Sequence, residues 1–212
     1  MDKVLALSWQ HISLSIMGVA LAAAGGIPLG ILLTRYRWLA KLVMAATEVI
    51  QTIPSLAMLA LLMMLFGLGD TTLVVSLFLY ALLPIVRNTY TGLLGVDPGL
   101  LEAGKGMGMT RSQLIWRVQV PIALPVILAG MRVALVTAIG IATIGVLIGA
   151  GGLGTLIWRG IQTRNNTMVL MGAVPAALLA ILTDAGLALL EQVLVPRGLK
   201  KRLSQHYKLI IN

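Results

Sequence analysis

Glu48, Arg132 and Asp184 stand inside long apolar runs of this 212-residue sequence, far from the polar stretches that hold most of its charge. An ionised side chain in hydrocarbon is costly, so such residues pair with one another or serve a ligand that passes them. At the helical rise, all three fall about 12–15 Å from the same end of their runs. That shared depth lets Arg132 pair with Glu48 or with Asp184, and holding the helices together is the simpler role for such a pair. Glu191 and Arg87 lie near run ends, where long side chains can reach water. One short stretch, TEVIQTIPSLAM, gathers Glu48, Gln51, Thr52 and Ser55 around Pro54, which makes it the first choice for lining a polar pathway. Tyr80 offers an aromatic face for a cationic ligand, but with Tyr90 as its only companion it forms no aromatic cage.

Other chemistry can be set aside on context. Gly99 to Lys105 matches most of a phosphate-binding loop, yet the next residue is Gly106 where a Ser or Thr should hold Mg²⁺, and no strand precedes it. Gly149, Gly151 and Gly154 satisfy a dinucleotide spacing but follow an apolar helix, and the next acidic residue is Asp184. The two histidines, His11 and His206, fall on opposite sides of the proposed membrane, so no nucleophile and base can be assembled from them. With no cysteine, thiol catalysis and thiolate metal sites are excluded, and no metal site is expected.

The elements that must position these residues follow from composition. The chain is 58% hydrophobic and 11% charged, with a mean hydropathy of +0.97. A soluble domain carries roughly 25% charged residues, so lipid is the expected solvent. Five apolar runs of spanning length occur at about 13–34, 41–66, 71–91, 122–148 and 168–194. They predict an all-α, five-span helical bundle forming a single domain over 1–212. Twelve of the 16 basic residues fall on one side, among them Arg35, Arg37, Lys41, Arg87, Lys105, Arg111, Arg117, Arg197, Lys200, Lys201, Arg202 and Lys208. The positive-inside rule makes that side cytoplasmic, with the N-terminus outside and the C-terminus inside. The net charge of +9 thus reads as membrane orientation, and no nucleic-acid partner is expected. Gly26-x-x-x-Gly30 and Gly145-x-x-x-Gly149 provide small-residue faces for close helix packing, most simply within one subunit.

The only sizeable inner connection is DPGLLEAGKGMGMTRSQLIWRVQVP, residues 97–121. Asp97 and Pro98 open a short helix, the glycines 104, 106 and 108 close it, and Thr110 with Gln113 caps a second helix toward Pro121. Met107 and Met109 lie in the turn between them, where adaptable thioethers suit docking into a partner's groove.

This segment resembles the EAA loop of ABC importer permeases, with Glu102, Ala103 and Gly104 at the E-A-A positions, Gly108 at the glycine, and Val118 to Pro121 at the closing I-x-L-P. Gly104, Val118 and Val120 depart from that pattern. The stretches IQTIPSLAMLALLMMLFGLG, SLFLYALLPIVRNTYTG and PVILAGMRVALVTAIGIATIGVLIGAGGLG resemble permeases that import osmoprotectants such as glycine betaine, carnitine and choline. The resemblance implies a multi-pass protein of the bacterial cytoplasmic (inner) membrane. It also implies a second permease subunit, identical or paralogous, a cytoplasmic ABC ATPase dimer that carries ATP and Mg²⁺, and an external substrate-binding protein. No cofactor is expected in this chain. Glu102, Ala103, Gly104, Met107, Gly108, Met109 and Pro121 would form the coupling element, and Arg159 and Arg164 would face the binding protein. An amino-acid cargo such as methionine is the alternative within that family. A secondary transporter is a poorer fit, because no inverted pair of broken halves is apparent.

Overall fold

The structure, a computed structural model, describes residues 2–194. The basic residues from Arg197 to Lys208, and His206, lie outside the described residues. All regular structure within them is helical. Helix α1 covers Asp2–Leu33, α2 Arg37–Thr52, α3 Ser55–Phe66, α4 Asp70–Leu94, α5 Pro98–Gly106 and α6 Arg111–Leu114. A π-helical segment, Ile115–Gln119, leads into α7, Val120–Ala142. A 3₁₀ turn at Gly145–Ile148, then α8 at Gly154–Gln162 and α9 at Asn166–Leu194, complete the chain.

Four of these helical stretches are long and apolar enough to cross a membrane, and α2 with α3 makes a fifth only as a pair bent by 101°. The second predicted run, 41–66, is therefore not one kinked helix. Ile53 is extended, at φ −69° and ψ 125°, because the ring of Pro54 crowds the helical conformation of the residue before it. The bend is braced from α4. Gln51 Nε2 donates to the Tyr80 carbonyl at 2.8 Å, and the Tyr80 hydroxyl donates to the Ile53 carbonyl, a group that the broken helix leaves without its own donor.

Two other boundaries differ from the sequence expectation. The first helix starts at Asp2 instead of residue 13, since nothing between them breaks a helix. The fourth span ends at Ala142 and not at 148, because residues 145–148 tighten into a 3₁₀ turn before Gly149, whose φ is +76°.

The core sits where α4 passes between α1 and α7. Gly18, Ala22, Gly26 and Gly30 repeat every four residues along α1 and are all buried. A Cβ on Gly18 would lie 2.6 Å from Leu77 Cβ, and one on Gly30 2.7 Å from Thr89 Cβ. On the other flank, a Cβ on Gly130 of α7 would lie 2.6 Å from the Pro84 carbonyl oxygen. Lipid gives helices no hydrophobic reason to associate, so close backbone approach through small residues supplies the attraction. Gly26 and Gly30 thus pack within the subunit. The pair Gly145 and Gly149 forms no helix face, because Gly149 is left-handed and lies beyond the 3₁₀ turn.

Gly30→Ala should destabilise the protein by roughly 1–3 kcal/mol through overpacking. Gly25→Ala, whose Cβ meets nothing within 4 Å, should be neutral or gain the roughly 0.5–1 kcal/mol of helix propensity. Thermal unfolding of the two variants in detergent compares them directly.

Candidate functional site: the inner loop, the membrane charges and the glycine loop

The inner loop is built by local capping. Asp97 Oδ1 accepts from the Gly99 amide at 2.8 Å and starts α5. The helix closes where Met109 N–H donates to the Gly104 carbonyl at 3.0 Å and Gly108 N–H to the Lys105 carbonyl at 2.9 Å. That closure needs Gly108 at φ +79°, a backbone state that disfavours side chains. Thr110 and Gln113 then make both bonds of a capping box, at 2.8 and 3.3 Å.

The second helix does not stop at Pro121. From Arg111 through the π-helical segment to Ala142 the chain forms one 32-residue helical stretch. In a regular helix the ring of Pro121 would press on the carbonyl four residues earlier, and the wider turns of Ile115–Gln119 relieve that contact. The loop is thus fused to a membrane-crossing rod about 48 Å long.

The two methionines of the turn part company. Met107 is 73% exposed at the tip, with Glu102 and Ala103 also exposed. Met109 instead folds inward beside Gly104. A Cβ on Gly104 would lie 2.5 Å from Leu114 Cδ2 and 3.3 Å from Met109 Sδ, so Leu114 occupies the space that an alanine would take. The near atom is the end of a flexible side chain. Gly104→Ala should therefore be tolerated within about 1 kcal/mol, the helix propensity gained offsetting the shift of Leu114; thermal unfolding would show it.

Among the charges within the spans, Arg132 pairs with Asp184 and not with Glu48. Nε meets Oδ1 at 2.8 Å and Nη2 meets Oδ2 at 2.8 Å, a two-pronged contact between α7 and α9. Glu191, near a run end where it could also reach water, lies 3.7 Å from Arg132 Nη1, two turns further along α9 than Asp184. Glu48 sits 3.6 Å from Arg87, the other charge near a run end, across exposed surface between α2 and α4. Equal depth along the helices does not decide which helices are neighbours, and α4 separates α2 from α7.

The Arg132–Asp184 pair is not sealed away. Arg132 and Asp184 line an open groove of about 700 Å³ between α7 and α9, with Val133, Val136, Ala180 and Ile181 as its walls. A second hollow of about 250 Å³ joins Gln51, Arg87 and Asn88 to Val133 and Thr137 of α7. Of the other pathway candidates, Thr52 donates to the Val49 carbonyl at 2.8 Å, Pro54 and Ser55 form the bend, and Tyr80 of α4 is buried behind it.

A third cluster was missed by reasoning from sequence. At the opposite end of the bundle, Asp70 Oδ1 accepts from the Gly151 amide at 2.8 Å, and Gln10 Oε1 accepts from the Gly152 amide at 3.1 Å. Gln10 Nε2 also donates to Asp70 Oδ2 at 3.3 Å, and the Gly69 amide donates to the Ile148 carbonyl at 2.8 Å. His11, fully buried, bonds the Ile139 carbonyl through Nε2 at 3.1 Å. These bonds tie α1, α4 and the end of α7 to the glycine loop before α8. The available signal was the run Gly149 to Gly154, dismissed as a nucleotide motif, whose bare amides seek acceptors. Arg159 and Arg164 follow on and after α8, both exposed, and among the described residues neither forms an ion pair.

The model of the family described as "Binding-protein-dependent transport system inner membrane component" matches residues 26–195, which takes in the inner loop, the ion pairs of the spans and the glycine loop. The chain belongs to that family. Within it, the chain is 54% identical over 194 residues to the glycine betaine/carnitine/choline transport system permease protein OpuCD of Bacillus subtilis, covering 91% of this chain and 85% of the relative. It is 50% identical over 198 residues to the choline transport system permease protein OpuBD of the same organism, covering 93% and 88%. Among solved structures, a chain of the MetNI methionine ABC transporter in inward-facing conformations superposes with a TM-score of 0.79 at 25% identity, over 89% of this chain and 94% of that one. This family member is an integral membrane transport component with the fold of ABC importer permeases.

Proposed function

We propose that this chain is the membrane subunit of an ATP-driven importer of osmoprotectants, the class that includes glycine betaine, carnitine and choline. The observation that carries the cargo assignment is its 50–54% identity to permeases named for those solutes. Methionine as cargo has only a likeness of fold at 25% identity behind it. The bacterial cytoplasmic membrane holds the chain, with the N-terminus outside and the C-terminus inside, as the distribution of lysine and arginine indicates.

Its partners are a second permease subunit, a cytoplasmic pair of ABC ATPases and an external substrate-binding protein. ATP with Mg²⁺ belongs to the ATPases. The exposed tip of α5, with Glu102, Ala103 and Met107, seats in an ATPase groove, while Met109 and Gly104 shape the loop from within. Movement of the ATPases passes through α6 and the π-helical segment into α7 without a joint. Rigid elements of this kind convert a local shift into rearrangement at a distant site. Gln51, Arg87, Asn88 and Thr137 are the polar groups best placed along the route, and Arg159 and Arg164 meet the binding protein.

Uptake of labelled glycine betaine, choline, carnitine and methionine by vesicles holding the assembled complex tests the cargo. Methionine uptake without the other three would reverse the assignment. Glu102→Ala should lower uptake at least tenfold while leaving the level of protein in the membrane unchanged. Uptake and ATP hydrolysis at wild-type rates in that variant would remove the coupling role.

A further inference from the structure

A cavity of about 760 Å³ opens between the end of α1 and the inner loop. Three cationic side chains line it, Arg35 after α1, Lys105 on α5 and Arg111 on α6, with the hydroxyls of Thr34 and Ser112 beside them. No acidic residue is among its lining, and among the described residues none of the three cations is in an ion pair. The other wall is apolar. It includes Leu32 and Leu94, which are 46% and 44% exposed at the ends of two spans and continue the surface that faces hydrocarbon. Tyr36 and Trp38, 40% and 66% exposed, follow directly, and such rings settle at the headgroup level of a bilayer.

Three unneutralised cations over an apolar wall, at the depth where a spanning helix ends, match one kind of molecule: phosphate above, acyl chain below. We propose that this cavity binds the headgroup of an anionic phospholipid, with Arg35, Lys105 and Arg111 around its phosphate and the acyl chains lying along Leu32 and Leu94. Basic pockets between membrane helices take anionic lipid headgroups on this basis. Protein is the poorer occupant, because the cavity lies behind the exposed tip of α5 and its apolar wall runs on into the lipid-facing surface. Two of the three cations are carried by the inner loop itself, so a bound lipid would pin that loop to the end of α1.

The full-length chain, purified with its accompanying subunits into nanodiscs of phosphatidylcholine containing a photoreactive phosphatidylglycerol, provides the test. Peptides holding residues 31–35 and 105–119 should be labelled more heavily than the lipid-facing surfaces of α3 and α9. Unlabelled phosphatidylglycerol should compete and unlabelled phosphatidylcholine should not. In Arg35→Gln/Lys105→Gln/Arg111→Gln the labelling of those peptides should fall at least tenfold, since each basic group near the headgroups contributes substantially to anionic-lipid attraction. Uniform labelling in the wild type overturns the proposal without reference to any variant, as does equal competition by phosphatidylcholine. Loss of labelling in excess inorganic phosphate would assign the site to a dissolved anion instead, and labelling of those peptides that appears only once the ATPase is stripped from the complex would assign it to protein.

Discussion

Arg132→Leu is expected to destabilise the membrane-embedded protein more than Asp184→Leu, and the double variant Arg132→Leu/Asp184→Leu less than either. The order follows from the charges left behind. Removing Asp184 leaves Arg132 with Glu191, 3.7 Å away, which can close on it. Removing Arg132 leaves Asp184 with no counter-ion in a region where water is scarce, and Glu191 as a second carboxylate two turns further along α9. Removing both members leaves one carboxylate nearer the end of its helix, where it can reach the interface. Loss of one partner exposes the full desolvation of the other, whereas an apolar replacement of the pair can be close to neutral. Arg132→Lys keeps the charge but not the fork that contacts both Asp184 oxygens at 2.8 Å, so it should fall between wild type and Arg132→Leu. Thermal unfolding in detergent, together with the amount recovered in membranes, ranks the four variants. A stable Arg132→Leu, or a double variant worse than both singles, would show that the contact contributes nothing.

The second large effect is expected in the glycine loop. A Cβ on Gly154 would lie 2.1 Å from the Thr143 carbonyl oxygen and 2.8 Å from its carbon. Both are backbone atoms, so no rotamer change relieves the clash, and α8 must move off the end of α7. Gly154→Ala should cost at or above the upper end of the roughly 1–3 kcal/mol typical of overpacking. Gly151→Ala meets Gln10 instead, at 1.9 Å from Nε2. That side chain can turn away, but only by releasing Asp70 and the Gly152 amide, so its cost should be smaller and should show as loosening of the contacts between α1, α4 and the glycine loop. Gly140→Ala, whose Cβ has nothing within 4 Å, is the control for helix propensity. Equal melting temperatures for the Gly154 and Gly140 variants would contradict this packing.

These two sites differ in how legible they were. Arg132 and Asp184 stood out because charge in an apolar run is rare and its expense is general. Their common depth followed from the helical rise alone. The choice of Asp184 over Glu48 did not, since it depends on α9 lying beside α7 while α4 stands between α7 and α2. Capping residues are equally legible, because Asp97, Thr110 and Gln113 act on amides within three positions of themselves. The glycine-loop cluster was not, for Gln10, Asp70 and Gly151 are separated by 60 and 81 residues, and nothing in their local pattern marks them as partners.

The glycines show the same division. Their number indicated close helix packing, but Gly26 and Gly30 became contacts with α4 only when α1 was laid against it, and Gly149 proved to be a turn. Pro54 announced an interruption. Its size, 101°, goes with two ties to α4: the Tyr80 hydroxyl donates to the Ile53 carbonyl that the break exposes, and Gln51 of α2 donates to the Tyr80 carbonyl.

What the residues determined unaided was everything set by local geometry and by the cost of charge in hydrocarbon: helical spans, caps, the inner loop, and charged side chains that must find partners or water. Which side chains meet, how sharply a span breaks and where a hollow opens were decided by the tertiary structure, because contacts between helices depend on neighbours that no short stretch of sequence contains.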